Sequence, residues 1–148
     1  MKPARLFTIG FTRKSAEAFF TRLQSAGVER VLDVRLHNVS QLAGFTKRDD
    51  LEYFLKAIGG IGYVHLPELA PDPALFEAFK RKQQLPWNQF RRRYLQLLGT
   101  RQVEQTLDRS LFPNGCLLCS EAAPEDCHRS LAAEYLRRHW KNLEIVHL

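Results

Sequence analysis

Apolar and polar positions along the chain follow two rhythms. Short apolar runs closed by Gly, Pro or a polar residue mark strands: Leu6-Phe7-Thr8-Ile9-Gly10, Val31-Leu32-Asp33-Val34-Arg35, Tyr63-Val64-His65-Leu66-Pro67, Cys116 to Cys119, and Glu144 to Leu148. Between them the apolar positions recur at helical spacing. Ser15 is placed to cap a helix whose inner face is Ala16, Phe19, Phe20, Leu23 and Ala26, ending at Gly27. Thr46 is placed to cap a second, with Asp49 as an approximate capping box, Leu51, Phe54, Leu55 and Ile58 as its apolar face and Gly59-Gly60 as its stop.

The stretch from about 70 to 112 reads as a helical insert. Asp72-Pro73 opens one helix, Phe90, Tyr94, Leu97 and Leu98 mark another, and Val103, Leu107 and Leu111 a third, before Pro113-Asn114-Gly115 turns the chain. Asp126 is placed to cap a final helix that turns Leu131, Ala132, Tyr135 and Leu136 inward. Strands alternating with helices predict one Rossmann-like α/β domain over residues 1–148. Its sheet is mainly parallel with about five strands, helices cover both faces, and the insert precedes the fourth strand.

In open α/β sheets ligands bind beyond the carboxyl ends of the strands. The residues that follow the strands therefore matter most: Gly10-Phe11-Thr12, Arg35, Pro67-Glu68 and Cys119-Ser120-Glu121. The densest chemistry lies from Cys119 to Arg129, where two thiols, the Glu121 carboxylate, the His128 imidazole and a guanidinium fall together. A helix N-terminus and a nearby arginine lower a thiol's pKa and attract anions. Cys119 is thus the candidate nucleophile, with Glu121 and His128 as acid/base groups. Arg35 and Arg129 are candidate anion clamps, and Gly10, Glu68 and Cys127 complete the binding set.

Each assignment has a plainer alternative. Free cysteines are most often small buried hydrophobes, and Cys116, inside its strand, reads as purely structural. His128 and Arg129 can simply solvate a helix start, although a cation there opposes the helix dipole and calls for a partner such as Glu121, Asp33 or a bound anion. Asp33 sits between apolar residues and reads as support for the loop that carries Arg35. His37, Asn38 and Ser40 are loop positions with no specific signal. Zinc on Cys119, Cys127, His128 and Glu121 or His65 does not match common ligand spacing, so no metal is expected. No cofactor is expected either, because Gly10 stands alone without a dinucleotide fingerprint.

Charge and cysteine count refine the picture modestly. The chain has 22 basic and 16 acidic residues, a net charge of +6, which favours anionic partners. Lys80-Arg81-Lys82 and Arg91-Arg92-Arg93, with Trp87 and Phe90 between them, form a basic and aromatic run. Nucleic-acid binding is therefore a second reading beside a small anionic or nucleotide-like ligand. Three cysteines and no secretory leader imply reduced thiols, no disulfide framework and a cytoplasmic location. No apolar run approaches the ~20 residues of a membrane span.

With these residues assembled, the chain resembles the family known as domain of unknown function 488. The resemblance rests on Thr8-Ile9-Gly10, Asp33-Val34-Arg35, Tyr63-Val64-His65-Leu66-Pro67-Glu68-Leu69, and Cys119-x-Glu121 followed by Cys127-His128-Arg129-Ser130. Two positions depart from the family pattern: Phe11 stands where a His follows Thr-Ile-Gly, and Ala70 where a Gly is expected. The resemblance implies the fold and a shared site, not a reaction. A looser similarity to rhodanese-like domains lies in the Asp-Val-Arg strand and in a strand-end Cys whose loop leads to an Arg opening a helix. It implies sulfur transfer as an alternative to a cysteine-dependent transferase or hydrolase. Pro124, Glu125 and Asp126 make the longer loop here a poorer amide cradle than a rhodanese loop. A zinc-binding interaction module is the remaining alternative.

Overall fold

The computed structural model describes residues 3–37, 44–81, 85–120 and 127–148, with only the backbone described for Lys80 and Arg81. Five strands form one sheet: β1 (Ala4–Gly10), β2 (Arg30–Asp33), β3 (Gly62–His65), β4 (Gly115–Cys119) and β5 (Leu143–His147), in the order β3-β2-β4-β1-β5. Every pairing is parallel. Burial along the strands follows this order. Central β4 is buried at every residue, whereas edge strands β3 and β5 are only partly covered.

Helix α1 (Ala16–Ala26) starts where its sequence says it should, with the Ser15 hydroxyl accepting from the Ala18 amide and Gly27 closing it in the left-handed conformation. Helix α2 (Arg48–Gly59) differs from expectation at its start. Lys47 takes the N-cap position, and Thr46 is buried in the preceding 3-10 turn, where its carbonyl accepts from the Arg35 guanidinium. Asp49 and Asp50 still lie in the first turn, where negative charge suits the helix dipole.

The insert is less regular than three helices. Asp72 caps α3 (Pro73–Phe76), a single turn that widens into a π turn over Glu77–Arg81. The long element is α4 (Trp87–Arg101), which buries Phe90, Tyr94 and Leu98. The third expected helix is only α5 (Val103–Thr106) followed by a 3-10 turn at Arg109–Leu111. Leu107 adopts an extended backbone between them, so apolar spacing alone overstates that helix. At the turn into β4, a Cβ on Gly115 would lie 2.8 Å from the Leu111 carbonyl and 2.9 Å from Leu32, so only glycine fits. Helix α6 (His128–Trp140) follows, with Cys127 at its N-cap; Asp126, the expected cap, lies outside the described residues.

Two buried clusters lie on opposite faces of the sheet. Phe7, Ile9, Val31, Cys116 and Leu118 pack with α1 and α2 residues such as Phe19, Leu23 and Leu55. Leu6, Leu32, Leu117 and Cys119 pack with α4 and α6 residues such as Tyr94, Leu98 and Leu136. Cys116 and Cys119, an odd number of residues apart on β4, therefore face opposite sides. The connection after β1 leaves toward the α1 face and that after β4 toward the α6 face, although the two strands are neighbours. Their carboxyl ends form the topological switch point, where such sheets open a crevice.

Candidate functional site

The last residue of β1, Gly10, lies in register with Cys119, the last of β4. Beyond them the two loops are joined: the Thr12 amide donates to the Ser120 carbonyl at 3.0 Å, and the Thr12 hydroxyl donates to the same oxygen. This double contact holds the entry to α1 against the exit from β4. The chemistry named in the sequence is set on that clasp.

Arg129 is the largest fully buried side chain among the described residues. Its Nη1 donates to Cys119 Sγ at 3.2 Å. A guanidinium so removed from water requires negative or strongly polar neighbours, since an uncompensated buried charge costs several kcal/mol. Cys127, buried at the N-cap of α6, brings its sulfur to Cys119, and the two are joined in a disulfide whose Cα atoms are 7.4 Å apart. This corrects the expectation that all the thiols are reduced and that an odd cysteine count leaves none paired. Cys116, on the other face, is the free one, and burial pushes its thiol well above the ordinary range.

His128 is buried at the start of α6, with its Nε2 at 2.8 Å from the Val34 carbonyl. A carbonyl accepts only, so Nε2 carries the proton in this contact. The Tyr94 ring lies edge-on at 5.5 Å. His128 thus ties α6 to the end of β2. Any acid/base work falls to Nδ1 or requires that tie to open. Ser130 turns its hydroxyl back onto the Cys127 carbonyl at 2.8 Å.

Arg35 is placed differently. Its Nε and Nη2 each lie 2.9 Å from an oxygen of Asp33, its own amide donates to the same carboxylate, and Nη2 also reaches the Thr46 carbonyl. The Tyr63 hydroxyl completes the carboxylate at 2.5 Å. The guanidinium also lies over the Phe11 ring, 5.4 Å from its centre. The residue standing where the family pattern has His is therefore packed as an apolar lid on this ion pair. His65 is drawn in through Nε2 to the Arg35 carbonyl at 3.1 Å. Glu68 lies past the end of β3 in the Pro67–Leu69 turn, exposed, with its backbone carbonyl held by Arg101. No described contact joins it to Cys119. Glu121, Asn38 and Ser40 lie outside the described residues, while His37 is exposed, with its ring against Phe76.

One residue the sequence did not single out belongs here. Lys14, in the turn after β1, is held below the ordinary lysine range by partial burial and by the fields of Arg22 and Arg129. Lys14 follows Thr12, whose contacts with Ser120 tie this turn to the end of β4. Among the described residues, no three His, Cys, Asp or Glu side chains cluster as a metal centre would need. No described helix is long and apolar enough to cross a membrane.

These features describe a parallel α/β domain with Cys119, Cys127 and Arg129 gathered at its switch point. The family model for Domain of unknown function DUF488 matches residues 15–136, and the chain belongs to that family. The match runs from the cap of α1 into α6 and includes Asp33, Arg35, Cys119, Cys127, His128 and Arg129. No curated protein and no solved structure matches the chain.

Proposed function

We propose that the protein is a thiol-dependent enzyme acting on a small anionic substrate at the carboxyl edge between β1 and β4. The observation that supports this reading most is the buried Arg129 guanidinium directed onto Cys119 Sγ. Cys119 in its reduced form is the nucleophile. Arg129 and the amino end of α6 favour its thiolate, and Arg129 with Lys14 attracts the substrate's charge. Cys127 caps Cys119 in the oxidised form. A dithiol reductant opens the pair by two exchanges, leaving both cysteines as thiols and itself as a disulfide. Arg35, saturated by Asp33, shapes the neighbouring loop.

The charge preference of alkylation tests this reading on reduced protein. Iodoacetate, an anion, should gain on neutral iodoacetamide at Cys119 by about tenfold relative to a small free thiol, as a local cationic field allows. Chloride or sulfate should suppress that gain. Equal, slow labelling of Cys119 and Cys116 by both reagents would reject the nucleophile and the anion site together.

A sulfur-transfer reading shares the same thiol and the same strand-end geometry. It is favoured specifically by the adjacency of the two sulfurs, since a persulfide on Cys119 would lie within reach of Cys127. Release of sulfide from a reduced sample given thiosulfate distinguishes it from transfer of a carbon or phosphorus group.

A further inference from the structure

Cys119 and Cys127 come from two different elements, one ending β4 and the other capping α6, and both elements are pinned at that point. Gly10 lies in register with Cys119, and the Thr12 amide holds the next carbonyl, that of Ser120. The Cys127 carbonyl accepts from the Ser130 amide and hydroxyl, and His128 ties the start of α6 to Val34. The fold thus sets the two sulfurs against each other, and they meet in a bond. Cys116 is excluded from this chemistry by its place in the core on the other face. A thiol held beside another intercepts an oxidised neighbour faster than any reagent from solution can.

The surroundings select the oxidant. Both cysteines are buried in the apolar cluster that holds Tyr94, Leu117 and Leu131. A small neutral hydroperoxide sheds less hydration on entering such company than a charged disulfide does. Arg129 Nη1, at 3.2 Å from Cys119 Sγ, stands beside the attacking sulfur. Breaking an O–O bond throws negative charge onto the departing oxygen, and a guanidinium hydrogen-bonds an oxyanion strongly. A departing sulfur draws less from the same donor.

We propose, resting on Cys119 as the reactive thiol, that hydroperoxides close the Cys119–Cys127 pair and so switch the site off, with Cys127 as the resolving thiol. The Cys119 thiolate attacks one peroxide oxygen. An S–O bond forms as the O–O bond breaks, and the other oxygen leaves with a proton as water or alcohol. The Cys127 thiolate then attacks the Cys119 sulfenic sulfur, the S–S bond replaces the S–O bond, and the hydroxide takes a proton and leaves as water. The peroxide gains the two electrons that the thiols lose. A dithiol reductant restores both cysteines. In the closed state an incoming anionic substrate meets no free sulfur at Cys119.

Reduced, desalted full chain mixed with an equimolar amount of hydrogen peroxide tests this, read by thiol titration and intact mass. The unchanged protein should lose two of its three thiols to an intrachain bond, at least about tenfold faster than a small free thiol at neutral pH. Cys127→Ser should lose one thiol and carry a dimedone adduct at Cys119, the mark of a sulfenic acid, with excess peroxide driving it on to sulfinic acid. Cys119→Ser should keep both of its thiols over the same time, with the folding of each variant checked by circular dichroism. A rate no faster than that of a free thiol overturns the inference. So does dimedone labelling as strong in the unchanged protein as in Cys127→Ser, or faster closure by glutathione disulfide at equal concentration. If iodoacetate keeps its advantage while peroxide reacts slowly, the nucleophile and its anion site stand and only the switch falls; loss of both removes the reading beneath it.

Discussion

The protein buries two arginines near the same edge of its sheet and treats them in opposite ways. Arg35 meets a carboxylate: Asp33 accepts from it side-on, Tyr63 completes the acid, and the Phe11 ring closes the far side. Arg129 has the Cys119 sulfur among its contacts, and Lys14 feels its field. An arginine held bidentately by a carboxylate serves chiefly to hold structure. An arginine that also touches a cysteine sulfur has a contact whose charge changes when the disulfide is reduced. On the function proposed above, the contrast places the chemistry at the β1/β4 crevice and leaves Arg35 a structural role.

The comparison breaks most visibly when the closed pair is opened. Asp33→Ala leaves Arg35 buried without its carboxylate and should destabilise the protein by about 3–5 kcal/mol in urea unfolding. Replacing both residues, as Asp33→Asn with Arg35→Met, should cost clearly less than that single change. Similar losses from the single and double variants would remove the claim that Arg35 is structural. Tyr63→Phe probes the same pair more gently, at about 1.5–3 kcal/mol for a hydrogen bond to a charged group. Neither change should alter the ratio of iodoacetate to iodoacetamide labelling at Cys119.

His128 links the two regions, since it starts α6 yet donates to Val34 past β2. His128→Phe should cost about 1–3 kcal/mol by leaving a buried carbonyl unmet, and a urea midpoint unmoved by that substitution would contradict the tie. The smallest effect concerns pH. The Tyr135 hydroxyl, then a backbone hydrogen bond, hold the Glu104 carboxyl below its ordinary range. A depressed acid adds stability above the ordinary carboxylate range and loses it as pH falls through the lowered value. Tyr135→Phe should flatten that acid limb slightly in melts taken from neutral pH downward. An unchanged limb would show that the contact carries no linkage.

Much of this organisation was legible in the chain. Central parallel strands are buried on both faces and so read as unbroken apolar runs, which is why β1, β2 and β4 stand out. Cys119 and Arg129 were legible together because one βα connection carries both. Asp33 announced itself as an acid among apolar residues. Lys14 was not legible, because it reaches the site only through a β1–β4 adjacency that skips two strands of the sequence. The Cys119–Cys127 bond was hidden by the odd cysteine count. Thr46 looked like a cap because its hydroxyl precedes an acidic turn, yet it is buried and its carbonyl accepts from the Arg35 guanidinium. Helix α4 was legible from Phe90, Tyr94 and Leu98, though not its bounds, and its groove with α6 exists only in the packed fold.

On the function proposed above, Arg129 holds reduced Cys119 as a thiolate. The most direct measurement is the pH profile of Cys119 alkylation in reduced Cys116→Ser protein, compared with the same protein carrying Arg129→Lys or Arg129→Met. A midpoint below that of a free thiol is expected, moving upward when the guanidinium is replaced, with folding of each variant checked by circular dichroism. A midpoint at or above that of a free thiol, unmoved by either substitution, would contradict it.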